Sequence, residues 1–265
     1  MLLRLTLPAG GVRLDLIMPA RLGERPSGTV QRGTRGKGAI GRAVIVSDDW
    51  FRSPDFDDDA LAAFEARLRR ARAWNRPQLR RIKGLYVAEV GEASALRVAI
   101  DLWAAVVEDP GAGWGERAAA WEHTGNAYRG LGELELAANA YRQALATSPT
   151  RSGTSGTPDL SLAEVLIEAG GGDALTESAE ILTSAQLRAN LKWHREVFRY
   201  HLACARLAEA IGADAGAHAR SALDVLDADR SPQLPRHKDV GRVTTDAATI
   251  EWLRAKIADG TGADQ

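Results

Sequence analysis

Cysteine is almost missing from the 265-residue chain: Cys204 stands alone, which excludes an intrachain disulfide and an all-cysteine metal cage. Set among apolar residues, it reads as a small core residue rather than a nucleophile. Long apolar runs are missing too. Nothing approaches the roughly eighteen consecutive apolar residues that a membrane-spanning helix needs. The opening MLLRLTLPAGGVRLDLIMPARL is broken by Arg4, Arg13 and Asp15, so it does not read as a signal peptide, and a cytoplasmic protein is expected. Net charge is close to zero, at −1, which gives the whole molecule no pull toward nucleic acid or membrane.

Enzyme signatures are missing as well. There is no H-E-x-x-H, C-x-x-C or G-x-S-x-G, and no kinase or deaminase pattern. Of the five histidines, His194 and His201 share a helical face but lack an evident third ligand. Glu133 and Glu135 read as solvent-facing charges at a helix start. The expectation is a non-enzymatic protein without metal or cofactor.

What is present is an ordinary globular composition, 45% hydrophobic and 26% charged, with the charge unevenly spread. Residues 1–44 carry eight Arg or Lys against two acids, about +6, leaving about −7 for the remainder. Residues 1–47 therefore form a distinct basic, Gly/Arg-rich segment. Leu2–Leu7 and Val12–Ile17 alternate apolar with polar residues, as a short hairpin around Pro8–Gly11 would. The stretch that follows is too poor in apolar residues to build a core. Gly36-Lys37-Gly38-Ala39-Ile40-Gly41 fits G-x-G-x-x-G, but it precedes a strand-like run instead of leaving one, the wrong order for a dinucleotide loop. Residues 21–44 supply one alternative function, binding of nucleic acid or an anionic ligand; the sensory or regulatory part of a larger system is the other.

Residues 48–260 read as one helical domain, followed by a tail at 261–265. Ser53-Pro54 or Asp57 can cap a helix that has Asp58 and Asp59 in its first turn and Leu61, Phe64 and Leu68 as its apolar stripe. Further helices are expected from Pro77 to about Val90, Ala93 to Glu108, Asp159 to Ala169, Asp173 to Ala189, Leu191 to Ile211, Ala215 to Leu226, and Thr245 to Asp259. Gly170-Gly171-Gly172 and Gly212 serve as turns. Thr150–Pro158 is a Ser/Thr/Gly loop long enough to cover a groove.

The most specific stretch is 118–149, AAAWEHTGNAYRGLGELELAANAYRQALATSP. Trp121 and Tyr128 lie two turns apart on one helical face with Gly125 between them, where a side chain would hold a neighbouring helix away. Gly costs about 1 kcal/mol in a helix interior relative to Ala, so close approach must offset it. Trp121, Gly125, Tyr128, Gly132, Ala137, Tyr141, Ala144 and Pro149 resemble the signature of the tetratricopeptide repeat, a 34-residue helix–turn–helix unit. Thr124 stands where Leu is usual.

The resemblance implies an all-α solenoid of helical hairpins, with degenerate units on either side of the central one over roughly residues 75–230. It also implies protein–protein interaction, since the first helices of such units line a groove that holds a peptide or a partner's helix. On the central unit the groove positions are Glu122, Asn126 and Arg129. Asn126 matches a position that hydrogen-bonds the peptide backbone in family members that bind a C-terminal carboxylate, while Glu122 stands where those members place Lys. On the fourth unit Arg195 and Arg199 lie one turn apart and suit a carboxylate partner. The expected partner is thus an acidic or C-terminal peptide segment gripped by an adaptor or scaffold.

Overall fold

The structure, a computed structural model, describes residues 49–229 apart from 149 and 152, then 233, 234, 236, 237 and 239–262, with the side chains beyond 259 left out. Of the preceding residues only the backbone of Leu3–Arg4 and Asp15–Leu16 is described, paired antiparallel with Leu3 opposite Leu16. The rest of the expected hairpin and the basic stretch 21–44 lie outside the described residues.

From Asp58 onward the body is helical: α1 (Asp58–Leu68), α2 (Arg76–Ala88), α3 (Ala93–Glu108), α4 (Trp114–Gly130), α5 (Leu134–Thr147), α6 (Pro158–Ala169), α7 (Gly172–Thr183), α8 (Ala185–Asn190), α9 (His194–Ala210), α10 (Gly216–Ala228) and α11 (Ala247–Gly262). The caps follow local chemistry. Asp57 accepts a hydrogen bond from the Ala60 N–H at 2.8 Å at the start of α1. Pro77 sits in the first turn of α2, where its missing N–H costs nothing. Gly132, at φ 76°, makes the turn from α4 into α5. None of the described helices is long and apolar enough to cross a membrane.

One expectation needs correcting. The helix expected from Asp173 to Ala189 is broken at Ser184, whose backbone is extended (φ −61°, ψ 127°), into α7 and the six-residue α8. Thr183 and Ser184 are weak helix formers because their hydroxyls compete for backbone partners. The Thr183 hydroxyl does so here, donating to the Ala179 carbonyl at 2.9 Å.

Consecutive helices pack as hairpins, and in two of them a glycine decides the distance. A Cβ on Gly125 of α4 would lie 2.8 Å from two ring carbons of Tyr141 on α5. A Cβ on Gly84 of α2 would lie 2.4 Å from the indole nitrogen of Trp103 on α3. Tyr141 and Trp103 are the two largest fully buried side chains among those described. Each lies flat against helical backbone that lacks a side chain, so the glycine's loss of helix propensity is offset by burial of a large ring.

Ion pairs then tie each hairpin to the next. Arg81 of α2 reaches Glu116 of α4 at 2.6 Å, Arg129 of α4 reaches Glu164 of α6 at 2.7 Å, and Arg142 of α5 reaches Glu177 of α7 at 2.6 Å, each across 35 residues of sequence. Arg97 of α3 meets Glu133, just before α5, across 36. Arg199 of α9 returns to Glu164 across 35. Long side chains thus bridge α2 to α4, α4 to α6, α5 to α7 and α6 to α9. The core follows the same order, in clusters centred on α1–α4, on α4–α6, on α6–α9 and on α9–α11.

Candidate functional site

The face built by first helices α4, α6 and α9 carries the polar residues of interest. Glu122, Asn126 and Arg129 repeat at four and three residues, one side of α4. Ser161, Glu164 and Glu168 do the same on α6, and Arg195, Arg199 and Arg206 line α9 at four and seven. The sequence-predicted groove residues do not bond one another; the polar atoms of Glu122, Asn126, Arg129 and Arg199 are engaged by other side chains or backbone of the same chain. Arg129, 8% exposed, donates to Glu164 at 2.7 Å and to both carboxylate oxygens of Glu168. Arg199 binds both oxygens of Glu164 at 2.8 Å and the Ser161 hydroxyl at 3.0 Å. Asn126 accepts a hydrogen bond from the Tyr141 hydroxyl at 2.7 Å. Arg195 is buried, and its backbone N–H donates to the Gly241 carbonyl at 2.9 Å.

Charge within this cluster is fixed by its neighbours. Burial alone would raise the Glu164 carboxyl, but Arg199 and Arg129 outweigh it and hold the group down at about 2. The same carboxylates keep Arg129 charged against the cost of its own burial. Glu164 thus carries two arginines from opposite sides, and every charge is bonded, which is the condition for burying charge at tolerable cost.

Glu122 has a different task. It is 3% exposed and accepts from both the backbone N–H of Ser155, at 2.7 Å, and the Ser155 hydroxyl. Burial raises its carboxyl despite those two hydrogen bonds. The 150–157 loop is pinned there and again at Gly153, where a Cβ would run into the backbone of Gly115 at 2.3 Å. Gly115 and Glu122 are two turns apart on α4, so the loop lies along the first half of that helix. Arg151, bonded to Asp159 at 2.6 Å, closes the loop onto the start of α6.

An open depression of about 440 Å³ adjoins the network where α6 and α9 meet the start of α11. Glu168, Arg206, Glu209, Thr249 and Trp252 line it. Glu168 belongs to both, since its carboxylate also holds Arg129. Glu209 is tied to Lys256 at 2.8 Å. Arg206, two turns beyond Arg199, makes no ion pair among the described residues.

Sequence reasoning named Arg129 and Arg199 but missed Glu164 and Glu168, the carboxylates that bond them. His194 and His201, on one helix, face different partners. His194 Nδ1 lies 3.0 Å from Asp229, a buried carboxylate that also binds Arg242 at 2.9 Å, while His201 faces His218 on α10. Glu196, between Arg195 and Arg199, accepts the backbone N–H groups of Lys192 and Trp193, at 2.8 and 3.1 Å, and caps α9. No family model matches the chain, and no curated protein or solved structure matches it either.

Proposed function

We propose that the chain is a non-enzymatic interaction module, a tetratricopeptide-like array of helical hairpins that seats a peptide or partner helix against its first helices. The observation that carries this reading is the repeated Arg–Glu tie across 35 or 36 residues, which brings α2, α4, α6 and α9 side by side in chain order. A near-constant sequence step between laterally bonded residues is what stacked hairpins joined by loops of unequal length can still produce. The Gly125–Tyr141 contact at the centre of the signature stretch supports it further.

Within that reading the expected groove residues act as the frame. Arg129, Arg199 and Glu164 hold the first helices in register, and Glu122 holds the loop. The contact surface for a partner is the depression beside them, where Arg206 offers two parallel N–H donors to a carboxylate and Trp252 offers an apolar face. An acidic or C-terminal segment suits Arg206.

Site-specific photocrosslinking tests the assignment. A benzophenone amino acid replacing Thr249, in the depression, is compared with one replacing Gln143, exposed on α5. Discrete adducts at position 249 that disappear with Arg206→Glu are expected. Equal labelling at both positions, or adducts indifferent to Arg206→Glu, overturns the assignment.

A further inference from the structure

His201 on α9 and His218 on α10 meet across the seam of their helix pair, with Nδ1 atoms 3.1 Å apart, ring centroids 5.4 Å apart and ring planes at 38°. Only one proton fits between two nitrogens at that separation, so the neutral pair is a single N–H···N bond. The edge of the Tyr200 ring flanks both imidazoles, at 5.2 and 6.4 Å between centroids. Both rings are half-buried and open to solvent on one side. Burial lowers the His201 imidazole, with His218 adding to the effect, and burial lowers His218 too. Neutral imidazole is the form that binds metal.

We propose that His201 and His218 form a two-imidazole site for a late first-row divalent transition ion, Zn²⁺, Ni²⁺ or Cu²⁺, with water completing the coordination. Bonds of about 2.0–2.1 Å from two nitrogens 3.1 Å apart meet at the ion at about 95–102°, between the cis angle of square or octahedral geometry and the tetrahedral angle. Each ring turns about its Cβ–Cγ bond to aim its lone pair off the line joining the nitrogens. The proton held between them moves to Nε2 of the ring that carried it, so binding releases none from the pair. Imidazole selects these ions over Mg²⁺ and Ca²⁺, which prefer oxygen. Among the described residues there is no group of three or more His, Cys, Asp and Glu placed to hold a metal, so this is a site with two protein ligands that clips α9 to α10.

Calorimetric titration of the untagged full chain with ZnCl₂, NiCl₂, CuCl₂ and MgCl₂ tests it. The expected result is saturation at one equivalent with the three transition ions, tightest for Cu²⁺, and none with Mg²⁺. His201→Asn and His218→Asn should each weaken binding by at least about tenfold, the lower end of what losing even a ligand's hydrogen-bond partner costs, while His237→Ala, at an exposed position, leaves it unchanged. In case either Asn variant unfolds, substoichiometric Cu²⁺ added to the wild-type chain should broaden the imidazole resonances of His201 and His218 before those of the other three histidines. Absence of saturable binding, equal affinity in the folded variants, or broadening centred on another histidine overturns the proposal.

Discussion

Replacing Gly125 by alanine is the sharpest test of how the hairpins are built, because two effects of known size oppose each other there. In an open helix the change would stabilise the protein by about 1 kcal/mol through helix propensity. In this structure the new methyl would stand 2.8 Å from ring carbons of Tyr141, against an ordinary carbon contact of about 3.5–4.0 Å. The ring has nowhere to go: Tyr141 is fully buried, and its hydroxyl is bonded to Asn126 at 2.7 Å. Overpacking of that kind costs about 1–3 kcal/mol, so the net expectation is a loss of about 1 kcal/mol for Gly125→Ala and a larger loss for Gly125→Leu. For a chain of this size 1 kcal/mol is about 2–4 °C in Tm, within reach of calorimetry or urea unfolding. In a Tyr141→Leu background, where the ring is gone, Gly125→Ala should recover its ordinary stabilising sign. A Gly125→Ala protein that melts higher than wild type would refute the reasoning.

Two buried glutamates should titrate in opposite senses. Glu164 is held at about 2, below its ordinary 4.5, so the stability it contributes, on the order of 3 kcal/mol, is present above pH 4.5 and lost as pH falls toward 2. Glu164→Gln should cost up to about 3–5 kcal/mol at neutral pH by leaving Arg199 without its carboxylate and Arg129 with Glu168 alone, and should flatten that acid limb in urea unfolding repeated across pH; an unchanged limb would contradict the assignment. Glu122 is raised, so its contribution is present below pH 4.5 and lost as pH rises through its folded value, and Glu122→Gln at neutral pH should be far milder than Glu164→Gln in the same series. Lys83 is 1% exposed and donates to the carbonyls of Ser53 at 2.8 Å and Asp55 at 2.6 Å. Lys83→Met should cost about 1–3 kcal/mol and release amide exchange protection in residues 50–61, whereas retained protection there would show that other contacts hold the segment.

The helices were largely legible because their signals are local. Ala93–Glu108 matches the apolar spacing and the Asp109-Pro110-Gly111 stop to the residue. The Ser184 break escaped because Leu175, Ala179, Leu182 and Leu187 keep an apolar pattern across it, and periodicity does not report one extended residue. At the site, spacing sufficed to place Glu122, Asn126 and Arg129 on one face, but their partners stand on other helices, where no local pattern points. A signal existed nonetheless: a step of 35 residues leads from Arg81 to Glu116, from Arg129 to Glu164 and from Arg142 to Glu177. Hairpin starts, at residues 76, 114, 158 and 194, blur that step because connecting loops differ in length. His201 was read against its own helix, whereas its partner lies on the next.

Glu164 also bears on how the polypeptide acquires its shape. Contacts between successive hairpins close short loops, so ordering can begin in one pair and spread to the next at little entropic cost. Most joints in such a sequence of steps are independent, but the carboxylate on α6 is clasped from α4 on one side and from α9 on the other. The two guanidiniums repel each other, and Glu168, beside Glu164 on the same helix, supplies the second negative charge that lets both be held there. The segments before and after α6 thus meet in one balanced cluster of two positive and two negative charges.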